Sequence, residues 1–275
     1  MHQLNDWEPK RLLESLDPEI AGRLAAREAE LAEGAQVTSR VRAGLLMASV
    51  PVALAALSSD VFAQGGLPGI VVDVLNFALT LEHLEAEFYV TGVGTSGLLP
   101  EDVRATFDQI RKHEVAHVAF LQGVLGGRAV ARPTFDFTGG EGSGKGPFAD
   151  VFSNPATFSA VAQAFEDTGV RAYKGQAANL MGEKKILRAA LQIHSVEARH
   201  AAQVRRLRQQ KSWIVRESRG DLPAATQGTY NGEDNRFHFI LARPSGAAGM
   251  TDAFDETLTR SQVLDIVKPF IAGGR

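Results

Sequence analysis

From Gly69 onward, apolar residues recur at helical spacing in four stretches separated by punctuation of different lengths. Residues 70–91 (IVVDVLNFALTLEHLEAEFYVT) carry them at the three- and four-residue intervals of one helix face, with acids on an inner stripe. Residues 92–99 read as a Gly-rich turn, and Pro100-Glu101-Asp102 opens a second helix that ends near Gly126-Gly127. The connection over 128–153 is long and holds Pro133, Pro147 and several glycines. Asn154-Pro155 then caps a third helix running to about Met181, and Gly182-Glu183 turns into a fourth that runs to about Lys211. Short connections close antiparallel helix pairs, and a single long one lets the second pair cross over the first. The pattern predicts an all-α four-helix bundle over 68–211, with a helical N-terminal extension (1–67) and a mixed C-terminal extension (212–275).

Each extension has a recognisable element. Residues 1–37 are charged and helical in pattern, with Asp17-Pro18-Glu19 as a start signal. Arg40 and Arg42 lead into the apolar run 43–57, interrupted by Ser49 and Pro51. Two readings of this run stand side by side. A basic flank, a short apolar stretch and the small residues Val61 and Ala63 fit a signal peptide displaced inward, and 43–63 would then send the chain to the periplasm. The same residues fit a helix packed on the bundle of a cytoplasmic protein. The run is shorter than the roughly 20 residues a bilayer crossing needs, which argues against membrane association without removing it. In the C-terminal extension one further helix is expected over 259–271.

Composition narrows the chemistry. The net charge of −3 over 275 residues gives no basic excess that would attract nucleic acid. With no cysteine, thiolate zinc sites, iron–sulfur clusters and disulfide frameworks are excluded. Any metal must be held by imidazole and carboxylate, which suit iron, manganese and zinc. Residues 139–145 fit the phosphate-loop spacing G-x-x-x-x-G-K, but no strand precedes them and Gly146-Pro147 follows the lysine. They read as a flexible crossover loop.

The acids and histidines are not spread evenly. Five of the seven histidines (His83, His113, His117, His194 and His200) lie beside or inside two Glu-x-x-His pairs, Glu114–His117 and Glu197–His200. Residues three apart share a helix face. Each pair follows, by 32 and 31 residues, a Glu that has a Tyr seven positions later: Glu82…Tyr89 and Glu166…Tyr173. A Glu from each of two helices plus Glu-x-x-His from each of two others is the ligand set of a dinuclear carboxylate site inside a four-helix bundle. The expected metal ligands are therefore Glu82, Glu114, His117, Glu166, Glu197 and His200, around two iron or manganese ions. Tyr89 and Tyr173 stand where they can hydrogen-bond a ligand carboxylate. Glu85 shares the Glu82 stripe as an extra ligand, a replacement for Glu82 or a supporting residue, with Glu82 favoured by the Tyr spacing, and His194, one turn before Glu197, is a supporting candidate. His83 and His113 read as rim or packing residues. Asp167 and Arg171 read as an ion pair within the third helix, and Arg205, Arg206, Arg208 and Lys211 as complements to the fourth helix's C-terminal dipole.

The segment Asn76–Tyr89, with His113-Glu114-Val115-Ala116-His117 and His194-Ser195-Val196-Glu197-Ala198-Arg199-His200, resembles the ferritin-like domain proteins that include plant desiccation-related proteins. It is more distantly similar to rubrerythrin and bacterioferritin. The resemblance covers about 68–210, and all six ligand positions are present. It implies a ferritin-like bundle whose metals react with oxygen or hydrogen peroxide, in a ferroxidase-, peroxidase- or catalase-like oxidoreductase with a stress-related role. The alternative is a non-catalytic stress-protection protein that keeps the bundle, and an iron-storage cage is a lesser third. A homodimer is compatible with the first two of these and would dispose of the cage. The rubredoxin-type centre that rubrerythrins add is excluded, because there are no cysteines.

Overall fold

The computed structural model describes residues 66–235 and 251–273, all within the larger of two compact units, Val50–Arg275. The expectations for 1–37 and 43–63 lie outside the described residues. Among those described there is no β-strand, only two isolated bridges, and no helix is long and apolar enough to cross a membrane. The all-α expectation holds. Four long helices, α1 (Gly69–Gly94), α2 (Glu101–Leu125), α3 (Pro155–Gln176) and α4 (Lys184–Leu207), form two hairpins, α1–α2 and α3–α4. A short α5 (Arg260–Val267) follows in the tail.

The local signals explain most boundaries. The Asn154 side chain accepts from the Ala156 amide with Pro155 behind it, so α3 begins there. Thr259 closes a reciprocal capping box with Gln262 at the start of α5. That helix is shorter than expected and passes into a 3₁₀ turn at Lys268–Phe270, because Pro269 cannot donate to a continuing ladder. α4 ends at Leu207 rather than Lys211; Gln209 turns the chain with φ +58°. Gly92 does not open the first turn as expected. It lies inside α1, where a Cβ would stand 2.1 Å from Cε2 of Phe158, so its glycine permits contact between α1 and the aromatic base of α3.

The four helices are buried differently. α4 buries one clean stripe, Ile186, Ala189, Ala190, Ile193, Glu197, His200 and Val204. α1 and α3 are covered on nearly every side, from Phe77 to Tyr89 in one and from Ala160 to Tyr173 in the other. Residues outside the bundle supply the extra cover. Phe137 and Phe152 of the crossover pack on Phe88, while Ile214, Leu222 and Tyr230 of the tail pack on Ala160. Leu258, Val263, Val267 and Phe270 join the main aromatic core.

The crossover is ordered by its own hydrogen bonds rather than loose. The Asp136 carboxylate accepts from the amides of Thr138, Gly142 and Gly144 and from the Thr138 hydroxyl. Gly146 abuts the Thr138 carbonyl so closely that a Cβ would meet it at 2.0 Å. Neither a strand before nor a helix directly after residues 139–145 is present, which removes the phosphate-loop reading. The tail's end pairs with this loop through Asp136 N to Phe270 O and Ala272 N to Thr134 O, both 2.8 Å.

The basic residues around α3 and α4 do other work than the sequence suggests. Asp167 does not pair with Arg171. It takes a two-pronged ion pair from Arg205 (3.1 and 2.5 Å) and a hydrogen bond from the Tyr230 hydroxyl at 2.7 Å. Arg171 instead meets Glu233 at 2.6 Å and donates to the carbonyls of Thr229, Asn231 and Glu256. Arg208 reaches Gln163 and Asp221. Arg171 on Glu233, Arg208 on Asp221 and the Tyr230 hydroxyl on Asp167 thus fasten the C-terminal extension to the bundle, while Arg205 ties α4 to α3 from its place in the last turn of α4.

Replacing Gly92 by Ala is expected to lower stability by about 1–3 kcal/mol through overpacking against Phe158. Thermal unfolding checks this, and Gly92→Ala combined with Phe158→Leu should recover part of the loss.

Candidate metal centre

Each helix directs one element of the six-residue set inward at mid-bundle. Glu82 comes from α1, Glu114 and His117 from α2, Glu166 from α3, and Glu197 and His200 from α4. The three-residue spacing puts Glu and His of each pair on one face, one turn apart. None of the four carboxylates has any solvent exposure, and neither has His117. One apolar cluster lies toward the α1 C-terminus and contains Phe88, Phe107, Phe158 and Phe165. Another lies toward its N-terminus with Leu75, Leu121 and Ile193. The polar set is sealed between them.

The six residues form two overlapping groups. Glu82, Glu114, His117 and Glu197 each offer a ligand atom within 4.8 Å of the others, and so do Glu114, Glu166, Glu197 and His200. Glu114 and Glu197 belong to both. Nδ1 of His117 lies 3.1 Å from Glu82, 3.2 Å from Glu114 and 3.0 Å from Glu197. Nδ1 of His200 lies 2.8 Å from Glu114, 3.3 Å from Glu166 and 3.5 Å from Glu197. A single imidazole nitrogen cannot satisfy three carboxylates. Glu114 Oε1, Glu166 Oε2, both Glu197 oxygens and His200 Nδ1 are buried without a hydrogen bond of acceptable geometry. Buried polar groups are ordinarily paired, so this convergence of orphaned donors of electron pairs fits one divalent cation in each group.

The tyrosines cross over between the halves. Tyr89, on the Glu82 helix, donates to Glu166 Oε1 at 2.5 Å, and Tyr173, on the Glu166 helix, donates to Glu82. Each clamps the terminal acid of the opposite helix and leaves its second oxygen facing inward. Glu85 is also buried beside the centre. Its Oε1 lies 3.3 Å from where a Cβ at Gly169 would stand, and Gly169 is the counterpart of Glu85 in the repeat. The centre therefore contains a fifth carboxyl on one side only.

Electrostatics without metal shows what the charges require. Burial pushes Glu82 up to about 8, against the pull of His117. Glu85 is pushed well above the carboxylate range by burial and by Glu197, Glu114, Glu166 and Glu82, and Glu166 is raised by burial despite His200. For Glu114, burial is outweighed by His117 and His200, which hold it well below its usual value. Burial alone would depress both histidines, but Glu82 and Glu114 raise His117, and Glu166 and Glu114 raise His200, well above the imidazole range. Protons on the imidazoles and on some carboxyls thus stand in for cations.

The structure places the supporting residues differently from the sequence reading. His113 is not a rim residue: its Nδ1 lies 2.8 Å from His200 Nε2, with the rings stacked at 14°. Its Nε2 lies 2.7 Å from the Gln109 side-chain amide at the surface. Burial and the neighbouring His200 push His113 down to about 4, so it is neutral. A metal held by His200 Nδ1 would leave the proton on Nε2, which His113 Nδ1 is placed to accept, with His113 Nε2–H then donating to Gln109 once that amide turns its oxygen inward. The position of His113, four residues before His117 on one helix face, was the available signal. His194 directs Nδ1 to the Val170 carbonyl at 3.1 Å, not to a member of the set. His83 is buried, as a packing residue, with Nε2 unpartnered.

Two outcomes follow. The raised groups make the metal-free native state bind more protons than the unfolded chain above pH ~4.5, so its stability falls as pH rises, by about 1.4 kcal/mol per pH unit for each extra proton. Glu114 and Glu197 are depressed and act in the opposite sense only below their usual range, and the lowered His83, His113 and His194 oppose the raised carboxyls below pH ~6.5. Thermal unfolding with chelator should show stability falling as pH rises above ~6.5, where His117 and His200 add to the raised carboxyls, and divalent metal should flatten the slope. His113→Ala is expected to weaken one of two bound ions by about 10–100-fold and spare the other, read by stepwise metal titration.

A search of curated proteins gives no match. The model of the ferritin-like domain matches residues 70–210. The match spans just over half of the 275 residues and all four long helices in their observed order, and the chain belongs to the ferritin-like domain family.

Proposed function

We propose that the chain is a dinuclear iron or manganese protein that reacts with oxygen or hydrogen peroxide. The observation that carries this reading is the pair of four-residue groups sharing Glu114 and Glu197, with buried oxygens and a ring nitrogen left without partners. Four carboxylates balance the charge of two divalent ions, and two imidazoles complete a set that suits iron or manganese. When bound, such a pair supplies one-electron steps to oxygen or peroxide.

The roles of the residues follow from their places. Glu114 and Glu197, which belong to both groups, would serve both ions. Glu82 and Glu166 would each serve one, held in orientation by the Tyr173 and Tyr89 hydroxyls. His117 and His200 would each supply a ring nitrogen, the second fixed through His113. Glu85 is a further carboxyl available to one side. The aromatic and aliphatic clusters exclude bulk water, which keeps these electrostatic interactions strong. The resemblance to desiccation-related proteins supports a stress-related role for this chemistry.

Elemental analysis after anaerobic loading tests the reading, with about two ions per chain expected. Glu114→Ala and Glu197→Ala should each abolish binding of both ions rather than one, because each residue is shared. A loaded protein with less than a few tenths of an ion per chain would refute it.

A further inference from the structure

Between the N-terminal half of α1 and the facing parts of α2, α3 and α4 lies a cavity whose wall includes Leu75, Ala78, Leu121, Tyr173, Ala190 and Ile193. It leaves about 20 Å³ in which the centre of a water-sized molecule can move, room for one small guest. Its lining is apolar except for two side chains, and one polar atom of each is engaged elsewhere. The Tyr173 hydroxyl donates to Glu82, and Gln176 Oε1 accepts from Asn179 at 3.0 Å. A buried water needs two to four polar partners, and this wall does not present them. Tyr173 joins the cavity to the centre: its ring forms part of the wall and its hydroxyl holds Glu82 Oε1, while Glu82 Oε2 lies 3.1 Å from His117.

We infer that this cavity is a docking site for dioxygen, one side chain away from the metal centre. The inference rests on the oxygen-reactive reading and selects the apolar diatomic over hydrogen peroxide. A dry apolar cavity accepts a nonpolar gas without stripping hydrogen bonds, whereas peroxide would lose the hydrogen bonds it makes to water. The position favours the Glu82–His117 end of the centre, because Tyr173, which lines the cavity, bonds Glu82 at that end.

Xenon is the probe, used on metal-free protein with methyl NMR. Under xenon pressure, shifts are expected at the methyls of Leu75, Ala78, Leu121, Ala190 and Ile193. Ala190→Leu should fill the space and remove them, and Leu121→Ala should enlarge it and strengthen uptake, with thermal unfolding confirming that each variant is folded. In ferrous-loaded protein, Ala190→Leu should slow oxidation by dioxygen about tenfold, equivalent to about 1.4 kcal/mol of barrier, and leave oxidation by hydrogen peroxide unchanged. Absence of xenon shifts, their persistence in Ala190→Leu, an unchanged dioxygen rate, or an equal fall in both rates would overturn the assignment. Missing xenon shifts alongside normal ferrous oxidation would refute the cavity alone. Xenon uptake by a protein that binds no metal would refute the redox reading and dioxygen as occupant with it.

Discussion

Four carboxylates buried around two imidazoles are the constraint on which the rest of this structure depends. Removing a carboxylate from water costs several kcal/mol unless charge is returned to it. Glu82, Glu114, Glu166 and Glu197 are all without solvent exposure. In the metal-free protein the return comes from protons, on His117 and His200 and on the raised carboxyls. Divalent cations would meet the same need, each reaching several oxygens at once where a ring N–H reaches one, and their binding would then be coupled to proton release and bundle stability.

The surrounding protein keeps that constraint in force. Apolar clusters close the centre on two sides, and the crossover and tail cover the outer faces of α1 and α3. The tail is fastened by Arg171, which is almost fully buried and bonded to three carbonyls and Glu233, and by the Tyr230 hydroxyl on Asp167. These attachments sit on α3 one residue after Glu166 and further along the same helix. Through them the C-terminal extension helps hold the register that aims Glu166 and Tyr173 inward.

The two halves are related but not equivalent. Glu85 has Gly169 as its counterpart, and the missing side chain makes room for the extra carboxyl. His113 supports His200, while its counterpart Val196 can offer nothing to His117, whose Nε2 is buried without a partner. One group thus has His113 between His200 and Gln109 at the surface, and the other has an apolar cavity nearby.

The helices, their order and the six convergent residues were legible in the chain because they rest on local rules. The 3.6-residue period, the Asn154-Pro155 start and the three-residue spacing of Glu and His need no knowledge of distant residues. Readings that concerned a single side chain's partner fared worse. His113 was assigned to the rim or to packing, Asp167 and Arg171 to each other, and Gly92 to a turn. Their partners are His200, Arg205, Glu233 and Phe158, separated from them by dozens of residues. The crossed pairing of Tyr89 with Glu166 and Tyr173 with Glu82 was equally invisible. Periodicity states which face of a helix is buried, and so the sequence by itself determined that acids and imidazoles meet inside a bundle. Only the tertiary structure decided which atoms meet, because that depends on how two hairpins far apart in the chain are rotated and slid against one another.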